Sequence, residues 1–184
     1  MKNFIKTKIN EYLNEKYFND VYPKEKYVKL DFEKHPELLD NIFQLVNNAY
    51  SKKGGHFSLR NPQDLKSLDF WFASDINDNP YADVTIGGKK TPHGYKITTM
   101  GQDGSSEGKK EIIGKIKNLL ASNGFYIEIA PDLINIFNDV NTITDQNTIE
   151  KILNKKVEMN NDGTYNRDID GNLVTKLMVG YPKI

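Results

Sequence analysis

The sequence predicts a mixed α/β fold of the α+β kind, in which an antiparallel meander leads through a strand–loop–helix–strand crossover to a terminal hairpin. Three observations carry that expectation. The segments SLDFWFAS, ADVTIGG and GYKITTMG are short, apolar and β-branched or aromatic, and turn clusters (DINDNP, KKTPH) separate them. The third segment runs through GQDGSSEG into helical spacing and then into GFYIEIA, which is how a crossover between strands reads. Near the end, Asp168-Ile169-Asp170-Gly171-Asn172 reads as a hairpin turn before a last strand, TKLMVGYP.

The remaining elements follow in order. Ile5, Ile9, Leu13 and Tyr17 recur every four residues, with Phe4 and Tyr12 beside them, so residues 3–18 read as an amphipathic helix. Val28, Leu30 and Phe32 alternate as a first strand after Pro23. His35-Pro36-Glu37 then opens a helix whose stripe is Leu38, Leu39, Ile42, Phe43, Val46 and Tyr50, ending in Lys52-Lys53-Gly54-Gly55-His56. Ile112, Ile113, Ile116, Leu119 and Leu120 place a helix over residues 109–121, stopped by Asn123-Gly124. Pro131 starts an expected helix over PDLINIFNDV, and NTIEKILN suggests a short one. KKVEMNND, a turn at Asp162-Gly163 and YNRDIDGN precede the last strand. No repeat or long linker is visible, so 184 residues divide into an N-terminal helical extension (1–26) and one domain (27–184).

Composition removes several function classes. The apolar share of 38% with 11% aromatic is enough for a core, while the formal net charge is zero. Wrapping duplex nucleic acid usually requires a basic excess that is missing here, although a local groove for a nucleic-acid substrate stays open. With no cysteine there is no disulfide, thiolate metal site or cysteine nucleophile, and a cytoplasmic setting is the simpler expectation. No apolar run approaches the ~20 residues of a membrane span, and the N-terminus lacks the apolar stretch of a secretory signal. The histidines His35, His56 and His93 lie too far apart for metal-ligand spacing. Asp75-Ile76-Asn77-Asp78-Asn79 has Pro80 where a calcium loop needs glycine, so it reads as an Asx-rich turn, with magnesium at Asp75 and Asp83 left open. No metal is expected.

Taken in order, YVKLDF, HPELLDNIFQLVNNAY, the FWFAS–ADVTI–GYKITTM meander, GQDGSSEGKKEIIGKIKNLL, GFYIEIA, PDLINIF and the KKVEM–TKLMVGY pair resemble the GNAT superfamily of acyl-coenzyme-A-dependent N-acyltransferases. The resemblance covers roughly residues 27 to 182. It implies a GNAT-like mixed sheet and acetyl-coenzyme A as co-substrate, with transfer to a small-molecule or protein amine by direct attack. It also implies a coenzyme loop that departs from the family spelling in both registers: Ser105 and Glu107 stand at its glycine positions counting from Gln102, and Ser106 and Asp103 miss it counting back from Gly108. Small residues still let backbone N–H groups approach an anion at a helix start. The coenzyme-binding candidates are therefore Met100, Gly101, Gln102, Gly104, Ser105, Ser106, Gly108, Lys109 and Lys110. A plain polar connection is the competing reading of this loop. GGH at 54–56, DINDNPYAD, GQDGS and the tail YNRDIDGNLVTKLMVGYP also resemble small phage-encoded proteins, which keeps open a non-enzymatic role binding a host factor.

For chemistry, the candidates are Glu128, Tyr126, Tyr165 and His56. Glu128 alternates with apolar residues, and burial would raise its pKa toward that of a working base. The plainer alternative has it facing solvent or paired with a lysine. Tyr126 or Tyr165 would protonate the leaving thiolate, since the helix after GFYIEIA offers only Phe137 where the resemblance implies a tyrosine. His56 follows two glycines in a loop and would serve as base or donor. Tyr165, Arg167 and Lys176 on the terminal hairpin either line a cleft or are ordinary cross-strand partners.

Overall fold

Period-two alternation decides which side chains each strand presents to each face, and here the strands join into one eight-stranded sheet. The computed structural model describes residues 27–29, 31–34, 36–51, 61–74, 84–169 and 171–184. The expected N-terminal extension, His35, His56 and the turn at 75–83 lie outside the described residues. In chain order the elements are β1 (Tyr27–Lys29), α1 (Leu38–Ser51), β2 (Phe70–Ser74), β3 (Val84–Thr91), β4 (Gly94–Gln102) and α2 (Ser106–Ala121). They continue with β5 (Phe125–Ile129), β6 (Thr142–Ile143), α3 (Gln146–Leu153), β7 (Tyr165–Ile169) and β8 (Asn172–Gly180).

The strands β1 to β4 pair antiparallel in sequence, β4 pairs parallel with β5, and β8 closes antiparallel on β5. On its other edge β8 carries β6, while its N-terminal half pairs with β7. The mixed sheet, meander, crossover and terminal hairpin are those the sequence predicts.

One irregularity matters for everything downstream. Gly87 pairs with Thr99 but Gly88 pairs with Ile97, so Thr98 is an extra residue in β4. A bulge of this kind reverses the alternation that follows it. Before it, Tyr95 and Ile97 face the cluster formed with Ile112, Ile116 and Leu120 of α2; after it, Met100 faces that cluster. Thr99 is buried and Gly101 lies under α1. A Cβ at Gly101 would lie 2.6 Å from the backbone of Leu45 and Val46, so only glycine lets the helix ride this close.

Helix α2 covers one face of the sheet. The other face carries two separate clusters. Leu38, Ile42 and Val46 of α1 pack on Trp71 and Ala73, and Ile149 and Ile152 of α3 pack on Tyr126, Tyr165 and Met178. The β4–β5 seam runs between them.

Four expectations need correction. α2 begins at Ser106 rather than Lys109, because the Ser105 side chain accepts a hydrogen bond from Gly108 N (2.8 Å) and caps the helix three residues earlier. Pro131–Ile136 forms a single 3-10 segment, not an α-helix: it closes at Phe137 before the chain must reach β6. KKVEM is no strand. Its backbone groups at Val157 are taken by Glu150 Oε1 (3.2 Å) and Gln146 Nε2 (3.1 Å) of α3, and the partner of the last strand is Tyr165–Ile169. Finally, strand β1 spans Tyr27–Lys29, and Phe32 lies buried in the turn after it.

Candidate functional site at the split between two parallel strands

β4 and β5 pair only through Tyr95–Phe125, Lys96–Tyr126 and Ile97–Ile127. The bulge comes at the next residue, Thr98. A bulge bends and twists the strand that carries it, and past Thr98 the strands have no register partners on each other. The result is a cleft of about 270 Å³ lined by Ile97, Met100 and Ile127 on one side, by Lys96, Glu128, Arg167 and Lys176 on the other, and by Thr98 at the bulge. Its apolar wall belongs to the α2 face. Its charged wall opens on the opposite face, between the α1 and α3 clusters.

Register explains why those charges converge. Glu128 pairs with Met178, and Lys176 lies two residues from Met178 on the same face. Lys176 in turn pairs with Tyr165, which places Arg167 beside them. Lys96, of opposite parity to Tyr95 and Ile97, completes the set. The Glu128 side chain is only 8% exposed and is ion-paired through Oε1 to the Lys96 ammonium. Its Oε2 lies 3.3 Å from Arg167 Nε and accepts a hydrogen bond from the Tyr165 hydroxyl at 3.0 Å.

This geometry revises the role expected for Glu128. Burial pushes its pKa up, but the Lys96 ammonium, aided by Arg167 and Tyr165, pulls it below the ordinary glutamate value. A carboxylate so held is ionised and a weak base at neutral pH. The lysine-paired alternative is the one observed, with an arginine added.

The two tyrosines occupy neighbouring positions in the α3 cluster, and neither hydroxyl is idle. Tyr126 is 1% exposed and shares a hydrogen bond of 2.9 Å with Thr91 Oγ1. Tyr165 is fully buried and donates to Glu128. Burial raises both phenol pKa values, and for Tyr165 the Glu128 charge raises it further. Both therefore stay protonated.

Met100 lines the cleft, and Gly101 and Gln102 lead from it to the start of α2. There the loop caps itself. Asp103 Oδ1 accepts from Ser105 N (2.9 Å) and from Ser105 Oγ (2.7 Å), Gln102 Oε1 accepts from Gly104 N, and Ser105 Oγ accepts from Gly108 N. These hydroxyl and backbone donors hold the Asp103 carboxyl below its ordinary pKa. Its Oδ1 sits where a Cβ on Gly108 would go, so a carboxylate already lies against the helix start. Ser106, Lys109 and Lys110 are exposed nearby.

His93 joins the chain's end instead of the cleft: its Nδ1 lies 3.0 Å from Lys183 O. Among the described residues no group of His, Asp and Glu is arranged to hold a metal ion. None of the described helices is long and apolar enough to cross a membrane. Sequence reasoning missed Lys96. A signal existed, because a lysine interrupts GYKITTM at the parity opposite its core residues, but its partner lies 32 positions away. No protein-family model matches the chain, and no curated protein matches it.

Proposed function

We propose that this protein is a GNAT-like N-acyltransferase that takes an acyl group from acetyl-coenzyme A to an amine by direct attack. The observation that supports the reading is the split between β4 and β5. Beyond Ile97 and Ile127 the facing strand edges have no ladder partner in each other, and strand edges parted in this way suit a ligand that itself carries amides. An extended thioester-bearing arm threaded there would lie between the apolar and charged walls of the cleft. The donor supplies the thioester: the amine nitrogen bonds to the acyl carbon, the C–S bond breaks, and the thiolate leaves.

The chain's own residues divide the remaining work. Lys96 lines the cleft and stabilises the negative charge that develops on the attacked carbonyl and on sulfur. Glu128 positions Lys96 and Arg167. It does not take the proton, which passes to water in the open cleft, and the thiolate is protonated from the same water. Tyr126 and Tyr165 hold the wall in place.

The start of α2 is the place for the coenzyme diphosphate, whose binding requires the Asp103 carboxylate to swing away from Gly108. That carboxylate favours a second reading, in which the cleft serves a binding role without transfer. Melting temperature with and without acetyl-coenzyme A separates the two: ligand at a hundred times its dissociation constant adds about 2.7 kcal/mol. A rise, followed by release of free thiol on adding an amine, is the expected result. No shift with acetyl-, succinyl- or free coenzyme A would remove the transferase reading.

A further inference from the structure

We propose that the cleft accepts an amine that also carries a carboxylate or phosphate, and that Lys176 and Arg167 recognise that anion. This deepens the transferase reading and rests on it. Lys96, Arg167 and Lys176 line the cleft as cations, and Glu128 is its one carboxylate. Glu128 is shared between Lys96 and Arg167, so that group retains a positive charge. Lys176 has no ion-pair partner among the described residues and adds a second. Arg167 approaches Glu128 through Nε at 3.3 Å, and a guanidinium carries further N–H donors on its terminal nitrogens with which to meet an anion. β7 and β8 hold the two cations on one face, because Tyr165 pairs with Lys176 and Arg167 with Val174.

A cationic amine, such as a polyamine or a protein lysine, would bring like charge into a cleft already positive. Like-charge juxtaposition of this kind is how sites reject ligands. An amine bearing an anion compensates the surplus instead. The same positive surroundings disfavour the ammonium form of the bound amine and favour the neutral nucleophile, which a cleft without an available side-chain base needs. A guanidinium and an ammonium side by side are common partners of carboxylates and phosphates.

Four probes of similar size test this: β-alanine, O-phosphoethanolamine, ethanolamine and 1,3-diaminopropane. Calorimetric titration of each into the full chain, with and without free coenzyme A, reads binding; thiol release from acetyl-coenzyme A reads transfer. We expect at least one anionic amine to bind about tenfold or more tightly than ethanolamine, as charge-assisted hydrogen bonds allow. The diamine should bind weakest. Whether β-alanine or O-phosphoethanolamine leads identifies the anion. Lys176→Met, which keeps the stem of a half-buried side chain, should shrink the preference to about threefold or less while its melting temperature shows that it folds. Equal or better binding of ethanolamine or the diamine, an unchanged preference in Lys176→Met, or binding of none of the four overturns the proposal. Anionic amines that bind while acetyl-coenzyme A neither binds nor reacts leave the anion site standing and remove the transferase reading. Transfer that favours the diamine does the reverse.

Discussion

Glu128 is ion-paired to the Lys96 ammonium and the Arg167 guanidinium and accepts from the Tyr165 hydroxyl, and both ion pairs depend on its charge. Glu128→Gln keeps the shape but leaves two cations beside a neutral amide. Losing one member of a buried ion pair costs about 3–5 kcal/mol. Lys96 and Arg167 are 21% and 28% exposed, so water softens the penalty to about 2–3 kcal/mol. The pH dependence has a definite sign. The Glu128 pKa is lower in the folded protein than in the unfolded chain, so on acidification the unfolded chain takes up the proton first. The stabilisation is complete above the unfolded glutamate pKa and is lost as pH falls through the folded value. Urea midpoints between pH 7 and pH 3 should therefore converge for wild type and Glu128→Gln as the solution becomes acidic. A gap that stays constant with pH would mean that the carboxylate is not held by its charge.

At the level of elements, the strand–loop–helix unit from β4 to α2 carries a conflict: its position suits an anion, and Asp103 already supplies one. Asp103→Asn keeps an oxygen for Ser105 and removes the charge. On the proposed function, relief of repulsion near a helix start, worth about 0.3–1 kcal/mol, corresponds to roughly two- to fivefold tighter binding of acetyl-coenzyme A by calorimetry. The gain should shrink as salt is raised; equal or weaker binding at every salt concentration would place the diphosphate elsewhere. The same unit shows what was legible in the sequence. Alternation in FYIEI singled out Glu128 among apolar neighbours, and the strand–helix–strand order put the loop between β4 and α2, where it is found. The bulge at Thr98 left no mark, because GYKITTM alternates equally well without it; it shows only in the register with Gly87 and Gly88 of β3. The Lys96–Glu128–Arg167 set was equally hidden, since three strands distant in sequence form it. PDLINIF had a helix's proline start, yet its short span gives only a 3-10 segment, and β6 has two residues, too few for any period to show.

Across the whole molecule, β8 is the strand on which β5, β6 and β7 all depend, and it is among the last parts of the sequence. The fold is therefore completed by contacts of long sequence separation, and stability at one end of the sheet should be felt at the other. Gly180 tests this. It has φ +124°, and a Cβ there would meet Phe125 O and lie 2.8 Å from Tyr126 Cα, while its own N–H donates to Asn141 O at 2.8 Å. Gly180→Ala combines an unfavourable backbone region with a backbone clash and should cost about 2 kcal/mol or more. That corresponds to a fall in melting temperature of about 4–8 °C for a chain of this size. Trp71, the single tryptophan, lies in β2 under α1, 2% exposed, with its Nε1 donating to Leu65 O at 2.9 Å. Its fluorescence reports the meander end of the sheet, whereas far-ultraviolet circular dichroism reports every element. If the sheet unfolds as one unit, both probes should give the same urea midpoint in wild type and move together in Gly180→Ala. A Trp71 midpoint that stays put while the dichroism midpoint falls would divide the sheet into two units, with the boundary at the β4–β5 split, where only Tyr95, Lys96 and Ile97 join the halves through the ladder.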